Sequence, residues 1–291
     1  MDGRTAQGSG SKKTALLVGS DSSIVAAVRK VLPAWDIARA HNNRTALEML
    51  RGQTYELVLT GEETSGKQDV ELLRQIRTVR PHIRLIIITS KSTPADVIAA
   101  MRERAFSYFS EPYAMETFEQ MLKLATTGPV WDEGIEILSA TPQFINLVAR
   151  CDRKTADRLI QFIHEIADLP MKERDAVGLA FREMLMNAIE HGAHFKATQH
   201  VAISYIRAKH MVLCRVKDPG EGFSFEELTH AAVMNPPSEP IRHEAIREEQ
   251  GLRPGGFGIL VTQNIIDELI YGEKGNEVVL IKYLKPDQLD D

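Results

Sequence analysis

The chain has 291 residues, 43% of them apolar and 26% charged, with a formal net charge of -5. That length gives room for two domains with real hydrophobic cores, and the composition excludes collagen, a whole-chain coiled coil and whole-chain disorder. The charge is uneven: residues 1–128 carry 17 Lys/Arg against 14 Asp/Glu, and 129–291 carry 18 against 26, so the second half lacks the basic stripe that a nucleic-acid backbone reader needs.

Residues 1–13 read as a polar, flexible tail without the apolar stretch of a signal peptide. From 14 to 126 short apolar runs alternate with amphipathic segments. ALLVG (15–19), WDIARA (35–40), YELVLT (55–60), RLIIIT (84–89) and SYFS (107–110) read as strands. SIVAAVRKVL (23–32), NRTALEMLRG (43–52), DVELLRQIRTVR (69–80), ADVIAAMRERA (95–105) and AMETFEQMLKLAT (114–126) have helical spacing. Five strand–helix alternations with apolar central strands predict an α/β, doubly wound, mostly parallel sheet.

The Gly/Pro-bearing stretch 127–135 reads as a linker. Beyond it, 136–285 is organised differently. Residues 136–152 have strand character, 156–167 is helical, and 171–193 is a long helix with Gly192 near its end. Residues 200–220 give two strands joined at 208–210, and 223–254 is long, polar and broken by prolines. A helix over 256–270 and a strand over 276–284 follow, with 286–291 a C-terminal tail. Grouped helices with antiparallel strands predict an α+β sandwich. Cys151 and Cys214 form no disulfide framework and fit no metal spacing. With no apolar run of about 18 residues, no membrane partner is expected, and the expected compartment is the cytoplasm, with both thiols reduced.

Doubly wound sheets bind ligands at the carboxyl ends of their strands. There the segment 14–126 resembles the receiver domain of bacterial response regulators, in which clustered carboxylates and a lysine serve phosphorylation of one aspartate. Here Gly19 and Ser20 stand at the family's acidic pair, with Asp21 just beyond. Gly61 stands at the phosphoacceptor, and Glu111 replaces the lysine before Pro112. Only the hydroxyl position is kept, as Thr89. Asp21, Glu62 and Glu63 remain as loop carboxylates. The resemblance with these departures implies a pseudo-receiver, a docking or dimerising scaffold that has lost phosphorylation.

In the second half, Glu183 and Asn187 are four apart and share one face of the long helix, among the apolar Leu179, Ala180, Met184, Met186, Ala188 and Ile189. Asp218-Pro219-Gly220-Glu221-Gly222 comes after a strand and places an acceptor beside backbone that a flat ligand can approach. Arg253-Pro254-Gly255-Gly256-Phe257-Gly258 opens a helix, the arrangement of an anion cradle. In this order the three motifs resemble the ATP-binding domain shared by DNA gyrase, sensor histidine kinases and MutL, the Bergerat fold. Within it they are most similar to anti-sigma-factor serine/threonine kinases.

That resemblance implies ATP and Mg²⁺ as cofactors. By position it implies that Asn187 ligates the metal, Glu183 is the general base and Asp218 accepts from the adenine amine. Gly220 and Gly222 would shape the pocket, and Arg253, Gly255, Gly256, Phe257 and Gly258 would take the phosphates. Residues 223–254 make a longer lid than that family's, with Arg242, Arg247 and Arg253 as candidate phosphate clamps. The linker region 127–150 contains no histidine, so an ordinary histidine kinase is not expected. The implied function is a kinase that phosphorylates or sequesters a protein partner, an anti-sigma antagonist or a sigma factor. Homodimerisation is common in that kinase family. The alternative is a nucleotide-gated protein-interaction module without kinase activity.

Overall fold

The computed structural model describes residues 12–19, 22–61, 65–128, 134–224, 228–249, 251 and 255–285. The expected positions Ser20, Asp21, Glu62, Glu63 and Arg253 lie outside the described residues. The chain divides into two compact units, one around each of two sheets, and the second takes in Thr93–Arg102.

The first sheet is built from β1 (Thr14–Val18), β2 (Asp36–Ala40), β3 (Leu57–Thr60), β4 (Arg84–Thr89) and β5 (Ser107–Ser110). Its order is β2-β1-β3-β4-β5, with every pairing parallel, as the strand–helix alternation predicts. The helices are α1 (Ser22–Val31), α2 (Asn43–Gly52), α3 (Gly66–Val79), α4 (Pro94–Arg102) and α5 (Met115–Ala125). Strands β3 and β4 are buried along their whole length, which explains why they read as continuous apolar runs: a parallel sheet is covered on both faces. Ile24 and Val28 of α1, Phe118 and Leu122 of α5 and Phe109 of β5 close one side of the core, with Phe109 edge-on to Phe118 at 5.6 Å. Ser65 starts α3 through a reciprocal capping box with Gln68.

The second sheet has the order β10-β11-β9-β8-β7-β6. Its strands are β6 (Ile135–Thr141), β7 (Phe144–Arg150), β8 (His200–Ala208), β9 (Met211–Lys217), β10 (Glu268–Tyr271) and β11 (Glu277–Tyr283), and all its pairings are antiparallel. Helices α6 (Arg153–Ile166), α7 (Met171–Asn187), α8 (Arg242–Glu249) and α9 (Gly258–Ile265) complete the unit. Leu159, Phe162 and Ile163 of α6 and Ala180, Phe181 and Leu185 of α7 are buried with the alternate inward residues Leu147, Ile203, Cys214 and Leu280 of the strands. Burial raises the Cys151 thiol to about 11 and the Cys214 thiol to about 12, so both are unreactive apolar fillers.

Three elements differ from the sequence-based expectation. Residues 136–152 split into two strands, because the chain reverses at 142–143 to form a hairpin. The helix expected over 256–270 ends at Ile265. Ile266 is extended, and the Asp267 carboxylate accepts from the Tyr283 N–H at 2.6 Å and from Lys282 at 3.3 Å. Pairing of 268–271 with β11 replaces further helical turns. The long helix 171–193 stays α-helical only to Asn187, and Ala188–Gly192 forms a π-helical turn in which the Ala193 N–H reaches back five residues to the Ala188 carbonyl at 3.0 Å.

Candidate functional site

Helix α7 presents Glu183 and Asn187 on one half-buried face, as the spacing predicts, while Ala180, Met184, Ala188 and Ile189 fill the core and Leu179 is exposed. Directly after Asn187 the π turn widens the helix and carries Gly192 against Asp218. A Cβ on Gly192 would stand 2.3 Å from both Cγ and Oδ1 of Asp218. A Cβ on Gly220 would stand 2.7 Å from the Gly192 carbonyl oxygen and 2.8 Å from Asp218 Oδ1. The two backbones thus close around the carboxylate, and only glycines fit there.

Asp218 leaves the end of β9 with its Oδ1 accepting from the Gly220 N–H at 2.8 Å. Its own N–H donates to the Asn276 carbonyl at 3.0 Å. The Asn276 amide in turn donates to the Asp218 and Gly220 carbonyls at 3.3 and 3.2 Å. Burial pushes the Asp218 carboxyl above its usual range, and the Gly220 N–H opposes part of that shift. Gly222, at φ +85°, packs against the Lys274 backbone so closely that a Cβ would overlap the Lys274 carbonyl oxygen. Asn276 and the turn around Gly275 therefore belong to the site's frame. In the sequence they stand at the junction of the expected helix 256–270 and the strand 276–284, with no sign of a site role.

The third motif meets the first at the start of α9. A Cβ on Gly258 would stand 2.7 Å from Glu183 Oε2 and 3.8 Å from Asn187 Nδ2. Glycine at 258 is what lets the carboxylate and the amide approach this helix start. Among the described residues no side chain caps α9, and a helix start of this kind can take an anion on its first-turn amides. Gly255 and Gly256 lie at φ +139° and +93°. Above them sits the lid, polar and loop-like in sequence, which contains α8 and a 3₁₀ turn at Ala232–Met234.

Of the three candidate lid arginines, Arg247 is buried on this loop. Its Nη1 lies 3.3 Å from the place a Gly256 Cβ would take and donates to the His230 carbonyl at 3.3 Å. Arg242 is exposed and stands 3.9 Å from Glu239. Burial, and then the positive charges of Arg247 and His191, hold His230 below its usual range. Arg247 thus places one guanidinium beside the glycine loop, where an anion could meet it. Among the described residues no cluster of three or more His, Cys, Asp or Glu side chains forms a metal cage. A cation bound by an amide and by the phosphates of its own ligand requires none.

Known proteins match along the same lines. Residues 15–123 match the response regulator receiver domain and residues 149–282 the histidine kinase-like ATPase domain. The chain joins a receiver domain to a histidine kinase-like ATPase domain. The receiver part is similar to the transcriptional regulatory protein ZraR of Escherichia coli, 27% identical over 112 residues, which is 38% of this chain and 25% of that protein. It is also similar to the Fimbriae Z protein of Salmonella typhimurium, 26% identical over 92 residues, 32% of this chain and 44% of that one. The chain thus spans about a quarter of ZraR and under half of Fimbriae Z. Among solved structures, the CheY-like receiver domain of Methanospirillum hungatei is 19% identical, covers 40% of this chain and 98% of its own, and has a TM-score of 0.34. The ATPase domain is Bergerat-type, with helices on an antiparallel sheet. No helix among the described residues is long and apolar enough to cross a membrane.

Proposed function

We propose that the second unit binds ATP with Mg²⁺ and that the chain is a regulatory kinase of the anti-sigma-factor type. Such a kinase would transfer a phosphoryl group to a serine or threonine of a protein partner, an antagonist or a sigma factor. The observation that carries this reading is the meeting of Glu183, Asn187 and Gly258 at an uncapped helix start, with Asp218 held between Gly192 and Gly220. Asp218 would accept the adenine amine, Asn187 would hold Mg²⁺, and the amides of Gly256–Gly258 with Arg247 would take the phosphates. Bound Mg²⁺ would supply charge neutralisation along the phosphates.

Glu183 would take the proton of the attacking hydroxyl as its oxygen bonds to the γ-phosphorus, and the bond to the β,γ-bridging oxygen would break to release ADP. With no covalent intermediate, the rate would rest on positioning and on the charges around the phosphates, those of Mg²⁺, Arg247 and the loop amides. The receiver unit would serve as a docking or sensing module without phosphorylation: Gly61 comes directly after β3, where the acceptor would stand, and Glu111 directly after β5. The partner-binding state would be a homodimer, as in the kinases it resembles.

The test is incubation of the full chain with γ-labelled ATP and candidate antagonists; label that persists in Glu183→Ala removes Glu183 from its role. A second reading is supported by the packing of α8 on the glycine loop: nucleotide closes the lid over a docking face and no transfer occurs. Tight ATP binding without turnover, together with partner binding that depends on nucleotide, selects that reading.

A further inference from the structure

Helix α8 carries one group that the proposed phosphate site does not use. His243 is fully buried, and its ring stands perpendicular to that of Phe257 with centroids 4.5 Å apart. Its Cδ2 lies 3.2 Å from the place a Gly256 Cβ would take, so this edge of the imidazole faces the glycine loop.

Asn235 decides which ring nitrogen holds the proton. Asn235 Oδ1 accepts from the His243 backbone N–H at 2.9 Å, and Nδ2 donates to the Pro240 carbonyl at 2.6 Å. The reversed amide would set donor against donor and acceptor against acceptor, so its orientation is fixed. The same Nδ2 stands 2.6 Å from His243 Nδ1, and since Nδ2 can only donate, Nδ1 must accept. The ring proton is therefore on Nε2. That nitrogen is bonded to the Cδ2 that faces the loop. It is buried and has no hydrogen-bond partner among the described residues. A buried N–H without an acceptor is costly and needs an explanation.

We propose that the Nε2–H of His243 is a donor to a phosphate oxygen of the nucleotide held by Gly255–Gly258. The inference rests on the reading of the second unit as a nucleotide site and adds a lid residue that distinguishes a phosphorylated nucleoside from a bare one. His243 and Arg247 are four apart on α8, and both approach Gly256, so one helix face delivers a uniprotonated ring donor and a cation to the same loop. A phosphate oxygen would satisfy the Nε2–H; adenosine has no such oxygen to offer. Asn235, which fixes the ring tautomer, is a positioning residue.

Calorimetric titration of the full chain with ATP, ADP and adenosine in the presence of Mg²⁺ tests this, using wild type, His243→Phe and His243→Gln. Phenylalanine keeps a ring against Phe257 and removes the donor, whereas glutamine keeps a side-chain N–H. A hydrogen bond to a charged group is worth about tenfold or more in affinity. His243→Phe is therefore expected to weaken ATP and ADP by about that factor and leave adenosine unchanged, with partial recovery in His243→Gln. In the wild type, the Nε2–H nitrogen resonance of His243 is expected to move with ATP and ADP and to stay with adenosine; this decides the matter if His243→Phe does not fold. Equal weakening of all three ligands, no weakening, or an unmoved resonance overturns the phosphate role alone. A wild type that binds none of the three overturns the nucleotide site as well.

Discussion

Gly192 and Asp218 are so close that a methyl group on the glycine would stand 2.3 Å from the aspartate's Cγ and 2.6 Å from its Cβ. Rotation of the Asp218 side chain cannot relieve a clash that includes its Cβ, so the backbone of the π turn or of the β9 end must move. Gly192→Ala is expected to destabilise the second unit by about 1–3 kcal/mol, the usual cost of overpacking, and to weaken ATP binding as well, because the displaced carboxylate is the proposed adenine acceptor. Denaturant midpoints and ATP titrations of the variant check both; an unchanged affinity would remove Asp218 from the pocket.

At Gly258 the neighbour is the far end of a flexible side chain, Glu183 Oε2 at 2.7 Å from the built Cβ, so a different outcome is expected. Gly258→Ala pushes the carboxylate aside with little loss of stability, while phosphoryl transfer or hydrolysis falls steeply. Glu183→Gln, which keeps the shape and removes the proposed base, is expected to lower turnover by about 10²–10⁴-fold with ATP affinity nearly kept. Turnover and binding measured side by side separate the two effects. A Glu183→Gln enzyme with full turnover would assign proton transfer to another group.

The raised Asp218 carboxyl has a pH consequence whose sign is set by linkage. Burial lifts its folded value above the ordinary 3.8, so the native chain still holds this proton at pH values where the unfolded chain has lost it. Stability from this group therefore falls as pH rises from the ordinary value through the raised one, and is constant above. Asparagine does not titrate. Asp218→Asn is expected to gain on the wild type across that window and then keep a fixed lead, as denaturation midpoints at stepped pH would reveal. A lead that shrinks with rising pH would mean that the folded carboxylate is stabilised.

Much of this was legible because the relevant signals are local. The β3 and β4 runs read as buried parallel strands, and Glu183 and Asn187 read as one helix face because 3.6-residue periodicity sets both. The meeting of Gly258 with Glu183, and of Gly192 with Asp218, was legible only as motif order, since the contacts join elements 75 and 26 positions apart. The π turn left no periodic mark: one extra residue within a continuous helical pattern is set by the Gly192–Asp218 closure, which is tertiary. The lid was obscured for the opposite reason. Prolines at 236, 237 and 240 read as loop, and they are loop. Yet they end before Arg242, and α8 is a helix with little apolar periodicity, held in place by His243 and Arg247 on the glycine loop.

The receiver unit gives the remaining prediction. Its carboxyl-end chemistry depends on the residues at the ends of β3, β4 and β5. The β4 end keeps Thr89, buried, with its hydroxyl in a 3.2 Å contact to the Lys91 N–H. The β3 end passes from Thr60, whose hydroxyl accepts from the Ile88 N–H at 2.9 Å, directly to Gly61. A glycine has no side-chain oxygen to phosphorylate, and Glu111 after β5 would repel an incoming acyl phosphate where a lysine would attract it. The full chain exposed to acetyl phosphate and Mg²⁺ is therefore expected to show no phosphoryl adduct on any peptide from residues 14–126 by mass spectrometry. Gly61→Asp alone is expected to remain unlabelled, and Gly61→Asp with Glu111→Lys to gain label only if the carboxylates outside the described residues hold the metal. A wild-type adduct in this segment would restore a phosphorylated receiver.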